Sequence, residues 1–297
     1  MRNKILAVVV TYNGMKWMDR CLGSLSMSKL PVDVIVIDNG STDGTPDYIA
    51  EYFPEVKLVA TGENHGFGKA NNIGFGYALE QGYDYIYLLN QDAWIYPDTF
   101  SGLISKMEED SSLGILSPMQ MAACEDRPDP RFERWCPRAA FRDMDSSWRK
   151  AKVYDVKFVM AAHWMISREC LERVGGFSPA FLHYGEDDNF IHRAVYKGFR
   201  VGIYSGVKAI HDREMRPISK EASMRLKCVA SVVKLSNPLN YLFYRKLRQP
   251  LELLAISVRY NSGYVFRYIF TFIRSYRNLK SLRLQSLEDG AFLELSE

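Results

Sequence analysis

The first ninety residues repeat one pattern: a short apolar run, an abrupt polar turn, then a segment of helical periodicity. Ile5 to Val10 carries no charge and ends at Thr11, Tyr12, Asn13 and Gly14, after which Trp17, Cys21, Leu22 and Leu25 fall at helical spacing. Val34 to Ile37 ends in Asp38-Asn39-Gly40-Ser41-Thr42-Asp43-Gly44-Thr45, with Pro46 suited to a first helical turn. Val56 to Ala60 gives way to the polar stretch Asn64 to Asn72, then a helix expected over 73–81, then the strand Tyr85 to Leu89. Uncharged strands of this length must be covered on both faces, and right-handed crossovers through helices set their neighbours parallel. The pattern predicts an α/β fold, Rossmann-like in its first half, with a mostly parallel central sheet flanked by helices.

In such sheets ligands bind outside the carboxyl ends of the strands. The strand that ends at Leu89 breaks out through Asn90, Gln91 and Asp92, which makes Asp92 a candidate metal ligand; its bland alternative is a helix N-cap before Ala93 and Trp94. Gly114 to Pro118 reads as a further strand, 120–152 as a loop-rich insertion, 168–174 as a short helix stopped by Gly175-Gly176, and 201–204 as a strand with His211 just beyond it. Glu186, Asp187 and Asp188 open another helix, where three acids also suit the helix dipole.

Beyond Met215 the character changes. Fourteen Lys or Arg stand against two acids between Met215 and Arg283, a net charge of +12 that leaves −9 on the rest of a +3 chain. Aromatic residues interleave with these cations at helical spacing. Three readings follow in order: a packed helical subdomain, attachment to an anionic membrane surface, and nucleic-acid binding, which no accompanying motif supports. Five cysteines without a C-x-x-C pair argue against a disulfide framework or a structural zinc. With no signal-like leader and no apolar run near twenty residues, the expectation is a cytoplasmic protein, peripheral at most on the inner face of a membrane. The glycines of Gly66-Phe67-Gly68 fit neither a P-loop nor a dinucleotide fingerprint.

Taken in order, Val9-Val10-Thr11-Tyr12-Asn13, Asp38 to Thr45, Asn64-x-Gly66-Phe67-Gly68, Asn90-Gln91-Asp92, Gly175-Gly176-Phe177 and Glu186-Asp187 resemble the motif series of family 2 glycosyltransferases of the GT-A fold. The resemblance covers roughly 4–212 and implies a catalytic domain over 1–214, with a nucleotide-binding half at about 1–118, an acceptor half at about 153–214, and a helical C-terminal extension over 215–297. It implies inverting sugar transfer from a nucleotide-diphosphate donor to a saccharide or lipid-linked acceptor hydroxyl, with Mg²⁺ or Mn²⁺ on the donor diphosphate. Thr11, Tyr12, Asn13, Asp38, Asn64, Gly66, Asn90 and Gln91 would border the donor, Asp38 accepting from base or ribose. Asp92, helped by His211, would hold the metal. Asp187 would be the base, with Glu186 its acidic partner and Asp188 the runner-up. Asn90 stands where the family's D-x-D motif has its first acid, so one charge is missing; Asn90-Gln91-Asp92 is similar to what bacterial rhamnosyltransferases carry, which points to dTDP-rhamnose. A nucleotide-sugar-binding protein without turnover is the different-class rival. A sugar-1-phosphate nucleotidyltransferase would need a basic, Gly-rich triphosphate loop that Thr11 to Gly14 does not supply.

Overall fold

The computed structural model describes residues 3–144, 151–213, 219–240 and 242–293. Nine strands form one sheet in the order β3-β2-β1-β4-β8-β6-β9-β5, with β7 paired to β9. The strands are β1 (Ile5–Thr11), β2 (Asp33–Asp38), β3 (Lys57–Ala60), β4 (Tyr85–Asn90), β5 (Ala93–Ile95), β6 (Leu113–Met121), β7 (Val153–Asp155), β8 (His163–Ser167) and β9 (Arg200–His211). The parallel expectation describes β3, β2, β1 and β4. Beyond β4 the sheet is mixed, because β8 enters antiparallel to both β4 and β6 before β9 resumes parallel to β6.

Alternation along the strands divides the core. Leu6, Val8, Ile35, Ile37, Ile86 and Leu88 face one side of the sheet, and Ile5, Ala7, Val9, Val36, Tyr87 and Leu89 the other. The first side is covered by α3 (Phe67–Glu80), α6 (Arg168–Val174) and α7 (Glu186–Tyr196), the second by α1 (Met18–Ser26), α2 (Thr45–Tyr52) and α4 (Thr99–Glu109). Gly74 lets α3 lie close on β1, since a Cβ there would come within 2.4 Å of Val8 Cγ1.

Several boundaries differ from the sequence reading. Helix α3 begins at Phe67 rather than Ile73, because Gly66 at φ +81° starts the helix and the Phe67-Gly68 pair that suggested a loop lies inside it. Ala93-Trp94 is strand, so Asp92 caps no helix. Strand β9 continues past a register shift after Tyr204 as far as His211, which therefore closes the strand instead of lying beyond it. The stretch read as a loop-rich insertion holds the end of β6 and α5 (Arg138–Met144); residues 145–150 lie outside the described residues.

The extension forms three helices, α8 (Lys220–Ser236), α9 (Leu242–Arg259) and α10 (Gly263–Gln285). They share a core of Met224, Cys228, Val232, Leu253, Val265, Phe272 and Leu279, and Phe181 of the body enters it. Helix α8 lies directly behind the turn that opens α7: a Cβ on Gly185 would come within 2.7 Å of Val233, and Asn189 Nδ2 donates to Ser236 Oγ at 3.1 Å. After α10 the chain returns to the body. Lys197 Nζ donates to the carbonyls of Leu287 and Glu288 and pairs with Asp289, while Gly176 N–H donates to Ala291 O at 2.7 Å. Gly175, at φ +79°, sits where a Cβ would lie 2.0 Å from Ala291 O.

Candidate active site

The polar turns after β1, β2 and β4 meet at one edge of the sheet and are tied together by their own side chains. Asp38 directs its carboxylate into its own turn, Oδ1 accepting from Gly40 and Ser41 N–H and Oδ2 from the Thr11 hydroxyl at 3.0 Å and the Ser41 hydroxyl. Asp38 and Thr11 are buried, and the turn's own donors already engage the Asp38 oxygens. Asn13, in the left-handed region at φ +51°, accepts from Thr42 N–H at 2.8 Å and donates its own N–H to Ser41 Oγ. The Gln91 amide clamps β1 to β4 by pairing with both backbone groups of Tyr12, and Asn64 Oδ1 accepts from Gly66 N–H and Asn39 Nδ2. Tyr12, Asn13 and Asn64 remain exposed on this rim. Gly66 is there for close approach, since a Cβ would lie 2.6 Å from the Leu182 carbonyl just before the acidic cluster.

Beside this rim, the ends of β4 and β9 come together. Asp212 N–H donates to the Asp92 carbonyl at 2.7 Å, and His211 Nε2 lies 3.5 Å from Asp92 Oδ1. Burial pushes the Asp92 carboxyl up, but the hydrogen bond and charge of His211 and the charge of Arg213 outweigh it and hold Asp92 below its ordinary range. Arg213 pairs with the fully buried Asp129 at 3.1 Å, and Asp129 is fixed in turn by the N–H groups of Arg131 and Phe132. Arg213 Nη2 also lies 3.3 Å from His211 Nδ1. A guanidinium can only donate, so Nδ1 carries the lone pair and, in the neutral ring, Nε2 carries the proton toward Asp92.

These residues fit a hard cation in part. Asp92 is an ionised, half-exposed oxygen ligand of the kind Mg²⁺ or Mn²⁺ takes. His211 is arranged as a hydrogen-bond donor to Asp92 through Nε2 in this geometry, beside the carboxylate that it would help to hold a metal. Among the described residues no three His, Cys, Asp or Glu side chains converge as a metal cluster.

The acidic cluster stands at the start of α7, after Tyr184 and Gly185, both at positive φ. Burial, reinforced by the neighbouring Asp187 charge, pushes Glu186 up to about 8. It is 8% exposed with Oε2 unpartnered, so it lies on the inner side of the cluster. Asp187 is pushed up to about 6 by burial, opposed by backbone N–H groups including Ala161 and by the Arg213 charge. Asp188 is pushed up to about 7 by burial and by Asp187. Both are half-exposed.

Sequence reasoning missed Asp129 and Arg213, which carry no motif, and the part Asn39 plays inside the Asp38 to Thr45 motif; only the fold links Asp129 to Arg213 across 84 residues. His163 is a fully buried core histidine. Its ring bonds Tyr87 Oη at 2.8 Å and Ile210 O at 2.9 Å, and burial pushes it down to about 3. Lys69 is exposed on α3, as an ordinary helix-face lysine would be.

The model of Glycosyl transferase family 2 matches residues 6–175, and that of the N-terminal domain of galactosyltransferase matches residues 152–216. The chain is 26% identical over 214 residues to the dTDP-rhamnosyl transferase RfbF of Shigella flexneri, covering 71% of this chain and 70% of that one. It is 32% identical over 128 residues to an N-acetylglucosaminyl-diphospho-decaprenol L-rhamnosyltransferase of Mycobacterium tuberculosis, covering 40% of this chain; the chain spans only 42% of that relative's length. In fold it is similar to the mannosyltransferase PcManGT of Pyrobaculum calidifontis, solved with GDP-Man and Mn²⁺ (TM-score 0.56, 19% identity, 96% of this chain and 86% of that one). It is also similar in fold to S. aureus TarS 1-349 with UDP (TM-score 0.57, 16% identity, 96% and 81%). With a family model spanning more than half of its length, on a GT-A scaffold whose strand-end turns and acidic helix start meet at one crevice, this chain belongs to glycosyltransferase family 2.

Proposed function

We propose that the protein transfers rhamnose from dTDP-rhamnose to a hydroxyl of a saccharide or lipid-linked saccharide, with inversion at the anomeric carbon. The observation that carries this reading is Arg213. Its charge bears on both Asp92 at the β4 end and Asp187 at the α7 start, two carboxylates ninety-five positions apart in the chain that share one neighbourhood.

Asp92, helped by His211, would hold a divalent cation on the donor diphosphate, with the Asn90 amide in place of a second acid. When bound, such an ion neutralises the charge that grows on the leaving nucleoside diphosphate. Asp187 accepts the proton of the acceptor hydroxyl; with its carboxyl at about 6 it is mostly ionised at neutral pH. The acceptor oxygen forms its bond to the anomeric carbon as the carbon–oxygen bond to the diphosphate breaks on the opposite face. Glu186, at about 8, keeps its proton at neutral pH and so does not compete for that role. The donor assignment is supported by the rhamnosyl transfer named for both relatives and by Asn90-Gln91-Asp92; the metal is supported by the Mn²⁺ in the PcManGT complex. We also propose residues 1–214 as the catalytic unit and 215–297 as its extension.

A panel of dTDP-, UDP- and GDP-sugars, each with and without Mn²⁺, tests this reading by thermal shift. Binding to the native state at a hundred times Kd adds about 2.7 kcal/mol of apparent stability. The expected result is a metal-dependent shift with dTDP-rhamnose and a smaller one with the others. Equal shifts without metal would overturn the role of Asp92. A shift without transfer to any acceptor would favour a binding protein, the reading that Asn90 in place of an acid supports.

A further inference from the structure

We propose that the α9–α10 helix pair is a docking surface for an anionic lipid bilayer. The inner faces of these helices are filled: Leu253, Val265, Phe272 and Leu279 point into the core shared with α8. Their outer faces should then be polar, as on any helix with one side in water. Instead, Leu251, Leu254 and Val258 stand exposed along α9, and Phe266, Phe270 and Ile273 along α10, with Leu251 at 67%, Val258 at 75% and Phe270 at 54%. The spacings are three, four and seven residues, so each set forms a row on its helix. Both rows run away from the shared turn at 260–262.

The charge around these rows has one sign. Exposed Arg267, Arg274, Arg277 and Lys280 line α10, and no Asp or Glu occurs between Glu252 and Glu288. Glu252 itself is paired with Lys234 and Arg248. This decides between occupants. Two copies meeting through this face about a twofold axis would bring cations against cations, because such a contact joins a patch to itself. An anionic bilayer instead takes apolar side chains into its interface and draws basic residues to its surface, each Lys or Arg adding attraction that salt screens. Neither helix is long and apolar enough to cross a membrane, so the pair would lie in the interface plane.

The test is co-sedimentation of the full chain with vesicles of phosphatidylcholine alone or with 30% phosphatidylglycerol, at 50 mM and 500 mM salt. The expected result is binding to the anionic vesicles only, weakened at least tenfold at high salt. The double substitutions Phe270→Ser with Ile273→Ser, and Arg267→Glu with Arg274→Glu, should each reduce binding about tenfold or more. Because these side chains are exposed, the melting temperature and dTDP-rhamnose binding should stay unchanged, which separates this surface from the active-site reading. Absence of vesicle binding at low salt, or binding indifferent to both double variants, would overturn the proposal. So would a concentration-dependent dimer abolished by Phe270→Ser with Ile273→Ser, which would assign the face to a second copy.

Discussion

Asp187→Asn is expected to lower the rate of sugar transfer by about 10²- to 10⁴-fold, the range that a positioned general base supplies. An amide cannot take the hydroxyl proton but fills the same space, so donor affinity should be unchanged and the loss should fall on kcat. Asp188→Asn should cost much less. Initial-rate kinetics on both variants decide the matter; near-normal turnover in Asp187→Asn with collapse in Asp188→Asn would move the base by one position.

The same cluster makes a pH prediction in which activity and stability run in opposite directions. The base works only when ionised, so kcat/KM should rise with pH through about 6, and the residual rate of Asp187→Asn should lack that limb. All three carboxyls are raised in the folded state, so their stabilising contribution is complete only below their ordinary values near 4 and is lost as pH rises through about 6 to 8. Glu186→Gln mimics the protonated form. It should therefore raise the melting temperature relative to wild type more at pH 8 than at pH 5, and an equal effect at both would remove Glu186 from this account.

The largest expected loss of stability comes from Arg193→Met. Arg193 is fully buried and has no carboxylate partner among the described residues; its guanidinium donates to Asn189 Oδ1 and to the carbonyls of Val174 and Gly176, and it stacks on Phe190 and Phe292. Burial holds its pKa down at about 9. Methionine fills the volume but leaves three buried acceptors without a donor, each costing about 1 to 3 kcal/mol, offset by release of a desolvated charge. A net loss of about 3 kcal/mol is expected, read as a fall in melting temperature of about 5 °C or more. Arg193→Lys should recover only part of it, because a single ammonium cannot span three acceptors set for a planar fork.

The strands and the turns that end them were legible because both signals are local: an apolar run and a cluster of turn-forming residues announce themselves within ten positions. The direction of β8 was not, since an apolar run encodes burial and says nothing of which neighbour it will pair with. Asp38 shows a subtler limit. A carboxylate after a second strand is chemically apt for a ribose, but only the folded turn shows that Gly40, Ser41 and Thr11 also donate to it. His211 was visible as a metal-binding residue type, but its proton is placed by Arg213 and Asp129, and that triangle closes only in three dimensions. The acidic cluster was legible as a site, while the separation of its members into a buried acid and two half-exposed ones depends on α8, far along the chain.

The return of residues 287–293 to the body bears on the order in which this protein can be made. Lys197, Gly176 and Asn72 find acceptors on that segment, with Asn72 Nδ2 donating to Phe292 O at 3.3 Å, so the body borrows atoms from residues translated 90 to 220 positions later. A nascent chain that has emerged only as far as β9 holds every residue assigned here to chemistry and still lacks its keystone. A chain cut back to β9 would therefore carry the site residues without the acceptors that residues 287–293 offer to Lys197 and Gly176.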